Sequence, residues 1–183
     1  PLLILQARNS STRLPGKIMM PVNGKPMIYW QIKRIQEANI GDLIVATTNE
    51  STDDVLVNFL KAHSIRYYRG STDNVVERFY ELLKIYPSKY FFRLTGDCPL
   101  VMPELLISMN EYYRANNFDY VSNTLMPTFP DGLDIEIIKT NSFLKMFNLE
   151  LSTLEKEHVT QKIINSPEIF ELFNYQSPKD FCD

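Results

Sequence analysis

The sequence predicts an α/β fold, a mostly parallel sheet flanked by helices, and three observations carry that expectation. Short apolar runs alternate several times with segments of helical periodicity, which is the grammar of β-α-β units. All six glycines (Gly16, Gly24, Gly41, Gly70, Gly96 and Gly132) fall in the connections of that parse and none inside a proposed element. The 183 residues, 44% of them hydrophobic and 22% charged, suffice for one substantial core and a single domain spanning 1–183.

The elements follow in order. Leu2 to Ala7 reads as a buried first strand, and Pro26 suits the first turn of a helix whose apolar positions Ile28, Ile32, Ile35 and Ala38 recur at helical spacing. Asp42 to Thr48 is the second strand. Ser51 or Thr52 then caps a helix with Asp53 and Asp54 in its first turn and Val55, Leu56, Phe59 and Leu60 facing inward. Ile65 to Arg69 is the third strand, Thr72 or Asp73 the next cap, and Val75, Val76, Phe79, Leu82 and Leu83 the buried stripe of the helix that follows. Tyr90 to Thr95 is the fourth strand, ending at Gly96-Asp97, and a helix runs from Pro103 to Asn116. Beyond Phe118 the pattern changes to a strand at Asp119 to Asn123, a loop through Pro127 and Pro130, and a strand at Asp134 to Ile138. Two helices, Asn141 to Leu149 and Ser152 to Asn165, precede a final strand around Phe170 to Tyr175.

Composition excludes several function classes. A net charge of -3 is wrong for a general nucleic-acid binder, which carries a basic excess. The chain has neither an apolar run of about eighteen residues for a membrane span nor a secretion signal, so a soluble cytoplasmic protein is expected. Cys98 and Cys182 lie too far apart for a metal knuckle and read as small thiols. His63 reads as a surface or core histidine, and Tyr67, Tyr68, Phe91 and Phe92 as strand residues.

In an open parallel sheet, ligands bind beyond the carboxyl ends of the strands, so the residues after each strand are the informative ones. After strand one comes Gln6-Ala7-Arg8-Asn9-Ser10-Ser11-Thr12-Arg13-Leu14-Pro15-Gly16-Lys17, three cations interleaved with hydroxyls and backbone N–H groups, the inventory a triphosphate needs. It is not a P-loop: Ile18 follows Gly16-Lys17, and Ser11 stands where the first glycine belongs. After strand three, Arg69-Gly70-Ser71-Thr72-Asp73-Asn74 offers polar groups for a base or ribose. After strand four, Asp97 supplies a carboxylate suited to Mg²⁺, which prefers oxygen ligands and shares them with phosphates. Asp131, Asp134 and Glu136 form a second acidic group, the last two on one strand face, and could hold sugar hydroxyls. Glu157-His158, within a helix, is a polar pair facing the same cleft.

With these residues assembled, the chain resembles the CTP-dependent sugar cytidylyltransferases, the group of acylneuraminate and 3-deoxy-manno-octulosonate cytidylyltransferases, and within it the spore-coat polysaccharide branch. The resemblance rests on the 6–17 block, Gly24-Lys25-Pro26-Met27, Arg69-Gly70-Ser71 with Asp73-Asn74-Val75, and Arg93-Leu94-Thr95-Gly96-Asp97-Cys98-Pro99-Leu100. Pro130 to Glu136 and Glu157-His158-Val159-Thr160 continue it in the family's order. It implies a Rossmann-like, nucleotide-diphosphosugar-transferase type of fold and transfer of CMP from CTP to a sugar, a keto-deoxy sugar acid, with release of pyrophosphate. The implied nucleotide-binding residues are Gln6, Ala7, Arg8, Asn9, Ser11, Arg13, Lys17, Arg69, Gly70, Ser71 and Asp73. Arg8, Arg13, Lys17 and Asp97 are the implied catalytic residues, with Mg²⁺ on Asp97; Asp131, Asp134, Glu136, Glu157 and His158 are the implied sugar site. A cytoplasmic homodimer is expected, without nucleic-acid or membrane partners. Asp134, Glu136 and a metal-bound water remain candidates for the base.

Three departures from the family pattern stand out. Asn9 replaces the branch's usual Met, and Gln161 a proline. The chain begins at Pro1 and stops at Asp183, before the segment in which relatives carry a second metal-binding aspartate, so a trimmed domain is expected. Two rival readings remain: a glycosyltransferase of the same fold, which usually shows two nearby aspartates after an inner strand where this chain has Asp97, and a non-catalytic nucleotide-binding protein.

Overall fold

The computed structural model describes residues 1–10, 14–179 and 181. Ser11, Thr12, Arg13 and Cys182, all named above, lie outside the described residues. Nine strands are present among the described residues: β1 (Leu2–Gln6), β2 (Pro21–Val22), β3 (Lys25–Pro26), β4 (Asp42–Thr48), β5 (Tyr67–Gly70), β6 (Tyr90–Thr95), β7 (Tyr120–Ser122), β8 (Glu136–Lys139) and β9 (Leu172–Asn174). The helices are α1 (Met27–Glu37), α2 (Asp54–Ala62), α3 (Val75–Ile85), α4 (Pro103–Ala115), α5 (Thr140–Phe147), α6 (Thr153–Glu157) and α7 (Gln161–Ile164).

Seven strands form one sheet in the order β5-β4-β1-β6-β8-β7-β9. β1 pairs in parallel with β4 and β6, and only β8 runs against its neighbours. The central position of β1 explains its unbroken Leu2-Leu3-Ile4-Leu5 run, since a strand covered on both faces has no solvent side to make polar. Leu3, Leu5, Val45, Phe92 and Leu94 pack with α1, α2 and α4. Leu2, Ile4, Ile44 and Phe91 pack on the opposite face with α3, α5 and α7. The α/β class is therefore as expected, down to the buried stripes of α1 and α3.

Local departures have local causes. The Val22-Asn23-Gly24-Lys25 segment makes a small hairpin of β2 and β3, with φ of 48° at Asn23 and 75° at Gly24, the left-handed pair that a two-residue turn requires. Ser51 to Asp53 form a 3₁₀ turn ahead of α2, which rotates Val55 outward to 47% exposure and puts Val57 inside. α3 is capped by Asn74, whose side-chain oxygen accepts from the Glu77 amide at 3.1 Å, and not by Thr72 or Asp73. Gly70 is the last residue of β5, so one glycine does lie inside a strand.

The helix expected from Ser152 to Asn165 is two short ones. Ser152 and Glu155 close a reciprocal capping box that starts α6, and the backbone leaves helical geometry at His158. Val159 is fully buried and Thr160 donates to the Glu136 carboxylate at 2.6 Å. Those two inward demands cannot be met on the helical face that would hold Leu154, which points outward at 59% exposure. Asp134 precedes β8 instead of belonging to it.

Candidate functional site

The rows of side chains on the α3 face of the sheet change character at one end. Leu2 and Ile4 give way to Gln6, Phe91 to Arg93 and Thr95, Ile138 to Glu136, and Tyr120 to Ser122. Because β8 is antiparallel, its first residue, Glu136, lies opposite Arg93 near the carboxyl end of β6. All four rows turn polar together there, and a cleft of about 510 Å³ opens over Gln6, Arg93 and Thr95. The start of α3 and the α6–α7 break form its walls.

The cationic loop leaving β1 is rooted in the neighbouring strand. Asn9 donates its backbone N–H to Asp53 Oδ1 (2.5 Å) and its side-chain amide to Thr52 O (3.2 Å), and Gly16 N–H closes the loop on Asn9 O (2.8 Å). Asp53 is fully buried and accepts from Thr47 Oγ1 (3.0 Å), Thr48 N (3.2 Å) and the Thr48 hydroxyl. Asn9 is thus the hinge pin of the loop and does not line the cleft, while Arg8 and Lys17 do.

Opposite them, the Asp97 turn is held on three sides. Gly96 N–H donates to Gln6 O (2.8 Å), Gln31 of α1 donates to Thr95 O (2.7 Å), and Arg34 Nε donates to Val101 O (2.8 Å). A Cβ on Gly96 would stand 2.9 Å from Ala7 Cβ, so only glycine lets β6 end this close to β1. Lys17 Nζ lies 3.2 Å from Asp97 Oδ2. Burial works to raise the Asp97 carboxyl, but the Thr95 hydroxyl and the Lys17 ammonium outweigh it and hold Asp97 below the usual carboxylate range.

The floor is a closed network. The Arg93 guanidinium pairs with Glu136 through Nη1 and donates from Nε to Gln6 Oε1 (3.2 Å). Glu136 also accepts from Tyr120 OH and Thr160 Oγ1, each at 2.6 Å. Burial alone would raise the Glu136 carboxyl; Arg93, then the Thr160 and Tyr120 hydroxyls, reverse that and keep it ionised. Glu136, expected among sugar-binding residues, is therefore placed behind Arg93 with internal partners on both oxygens.

Gln6, Ala7, Arg8, Lys17, Asp73, Asp97, Glu157 and His158 are brought together around the cleft. Ser71 stands back from it, holding Arg78 through its carbonyl and the Asn74 amide through its hydroxyl (3.1 Å). Arg69 points away, its three groups engaged by Thr48 O (2.8 Å), Asp54 (2.7 Å) and Glu50 O (2.8 Å), where it straps β5 to the turn before α2. Asp131 is exposed on its turn beside Gly132, which has φ of 89°. Asp134 is half-buried; burial, then the charges of Asp131, Glu136 and Asp97, lift its carboxyl above the usual range.

Arg78 and Thr153 line the cleft without having been singled out, and Thr72, Arg93 and Thr95 line it after being named only as parts of longer motifs, a cap or a strand end. Arg78 had a legible signal, a cation within the apolar stripe Val75, Phe79 and Leu82, and Arg93 interrupts the apolar strand Phe91-Phe92-Leu94. Cys98 is buried as expected; burial pushes its thiol up and leaves it unreactive.

A divalent cation fits this donor set in one way. Among the described residues there is no group of three or more His, Cys, Asp or Glu side chains able to enclose a metal. Asp97 is a single ionised, half-exposed carboxylate beside a cationic arm, the environment of an ion that keeps waters and shares its coordination with phosphate oxygens. Among the described residues no helix is long and apolar enough to cross a membrane.

Residues 2–180 match the family model described as cytidylyltransferase. The spore coat polysaccharide biosynthesis protein SpsF of Bacillus subtilis is 31% identical over 186 aligned residues, covering 98% of this chain and 76% of that protein. A 3-deoxy-manno-octulosonate cytidylyltransferase of Bartonella bacilliformis is 34% identical over 125 residues, 65% of this chain and 50% of that enzyme. Among solved structures, a cytidylyltransferase from Leptospira borgpetersenii superposes with a TM-score of 0.93 at 30% identity, covering 98% of this chain and 76% of that one. A strand-end cleft with a rooted cationic arm facing an ionised aspartate, and a family match across nearly the whole chain, lead to one conclusion: this chain belongs to the cytidylyltransferase family.

Proposed function

We propose that the protein transfers CMP from CTP to a hydroxyl of a sugar acid, releasing pyrophosphate, in the biosynthesis of a surface polysaccharide. The observation that carries this reading is the pairing, across one cleft, of the cationic Arg8 and Lys17 with the ionised Asp97. The names of the Bacillus and Bartonella relatives support the polysaccharide and the keto-deoxy sugar acid.

The sugar oxygen attacks the α-phosphorus, the bond to the bridging oxygen of the β-phosphate breaks, and the hydroxyl proton passes to a base. Arg8 and Lys17, with Arg13 of the same loop, bind the triphosphate and stabilise the charge that builds on the departing pyrophosphate. The Thr95 hydroxyl and Lys17 keep Asp97 ionised and oriented. Asp97 would hold Mg²⁺, which supplies neutralisation of phosphate charge when bound. Glu157, His158 and Thr153 shape the opposite wall, where the acceptor enters. Both Glu136 oxygens are engaged within the floor, which leaves Asp134 and a metal-bound water as the candidate bases. The reading also takes the enzyme to be cytoplasmic and to act as a homodimer.

Pyrophosphate release from CTP, UTP and GTP, each with Mg²⁺ and a panel of sugar acids and neutral sugars, tests the proposal. CTP with a sugar acid is expected to give product, and chelation of the metal to stop it. Release driven by UTP or GTP alone, or CTP binding without turnover on any acceptor, would overturn it.

A further inference from the structure

Arg78 lies in the buried stripe of α3 between Val75 and Leu82, at 1% exposure, yet it borders the cleft. A buried guanidinium carries a large desolvation cost that proteins ordinarily offset with a carboxylate. Here no carboxylate forms an ion pair with it among the described residues. Its partners are backbone carbonyls alone: Nε to Ser71 O (2.8 Å), Nη2 to Ser71 O (2.5 Å), and Nη2 to Thr72 O (3.3 Å). Nη1 has no hydrogen-bond partner among the described residues. The strand end is cut to fit this side chain, since a Cβ on Gly70 would come within 2.7 Å of Arg78 Cγ.

The largest charge effect on it comes from another cation, Arg8, ahead of the opposing carboxylate of Asp53, which makes no ion pair with it. Burial, then the charge of Arg8, push the Arg78 guanidinium down to about 10, so it is still protonated at neutral pH. Arg8 and Arg78 reach the cleft from different elements, the β1 loop and α3, and repel one another across it. An anion between them relieves both the repulsion and the missing charge partner.

Resting on the CTP reading above, we infer that Arg78 is a further ligand of the nucleotide's phosphate chain, and that by holding Ser71 O and Thr72 O it makes the 71–74 loop part of the same binding event. One planar fork then serves loop and ligand at once, a task that a lysine's point charge cannot share. Gly70, by its close fit, and Ser71, by its carbonyl, enter the nucleotide site through this arginine.

The test is the ratio of CTP to cytidine dissociation constants, measured by calorimetry on the wild type, Arg78→Lys, Arg78→Met and, as a control, Glu77→Gln on the exposed side of α3. Tripolyphosphate alone is titrated in parallel. Loss of the charged contact in Arg78→Met is expected to weaken CTP and tripolyphosphate about ten- to hundredfold while cytidine changes less than about twofold. Arg78→Lys should fall between, and Glu77→Gln should match the wild type. Parallel losses for CTP and cytidine would reduce Arg78 to a loop support and overturn the inference, as would an unchanged ratio. The ratio does not depend on how much of a variant folds; where Arg78→Met yields no folded protein, Arg78→Lys decides by the same criterion. A wild type that binds tripolyphosphate through Arg78 but ignores CTP would defeat the CTP reading and leave this inference standing.

Discussion

The floor of the cleft and its rim use the same residue types to opposite ends. On the floor, Arg93 pairs with Glu136 and donates to Gln6, and the carboxylate of that pair is closed by the Tyr120 and Thr160 hydroxyls on its other oxygen. At the rim, Arg8 and Arg78 both line the cleft without forming an ion pair among the described residues, and Asp97 is half-exposed with Lys17 as its only ion-pair partner among the described residues. A charge whose partners are all internal builds structure; a charge held in place without one is poised for a ligand. The floor carboxylate and hydroxyls are buried and most of the rim is exposed, but Arg78, at 1% exposure, shows that depth alone does not separate the two sets; partners do.

The comparison predicts that floor and rim substitutions fail in different assays. The largest effect belongs to Glu136→Ala, which strands Arg93 as an unpaired buried charge and should cost about 3–5 kcal/mol in urea unfolding. A loss under about 1 kcal/mol would mean that the floor is no closed network.

Lys17→Ala and Asp97→Asn are the rim counterparts. Each should cut turnover about a hundredfold, roughly 3 kcal/mol of transition-state stabilisation, with the unfolding midpoint nearly unchanged. Near-normal turnover in either would remove it from the machinery.

pH separates the regions more finely. Glu136 is held below its ordinary pKa, so its contribution to stability is complete above the unfolded value of about 4.3 and is lost as pH falls through the folded one. Wild-type stability should therefore drop below that pH by up to about 1.4 kcal/mol per unit more steeply than Glu136→Gln, measured by denaturant titration at a series of pH values. Equal slopes would show that Glu136 is not ionised in the fold.

The smallest effect is expected at Leu154→Ser, on the outward side of α6, where stability should stay within about 0.5 kcal/mol. A larger loss would mean that the α6 wall packs on something.

Much of this was legible beforehand. Strand ends are readable because β1, β4 and β6 are short apolar runs with abrupt polar stops, and residues placed just past those stops, Arg8, Lys17 and Asp97, do meet at one cleft. Residues judged by type alone fared differently. Arg69 and Glu136 look like ligands in the sequence, but which partner a long charged side chain reaches depends on the other elements packed beside it: Asp54 and Glu50 for the first, Arg93 and Thr160 for the second. Arg78 was passed over for the converse reason: its one signal, a cation inside an apolar stripe, lies where helical periodicity assigns residues to the core.

Periodicity and turn chemistry are local, acting over a handful of residues, and they were enough for the α/β class, the parallel core and the carboxyl-end location of the site. Neutralisation is not local. Whether a given arginine or carboxylate ends as a brace or as a waiting ligand group was decided only when residues of different elements, 15 positions apart for Arg69 and Asp54 and 87 for Gln6 and Arg93, came within hydrogen-bond reach. Tertiary structure alone therefore assigned Glu136 to the floor, Arg69 to a strap and Arg78 to the rim, because the cost of burying a charge is set by the partners that the fold brings to it.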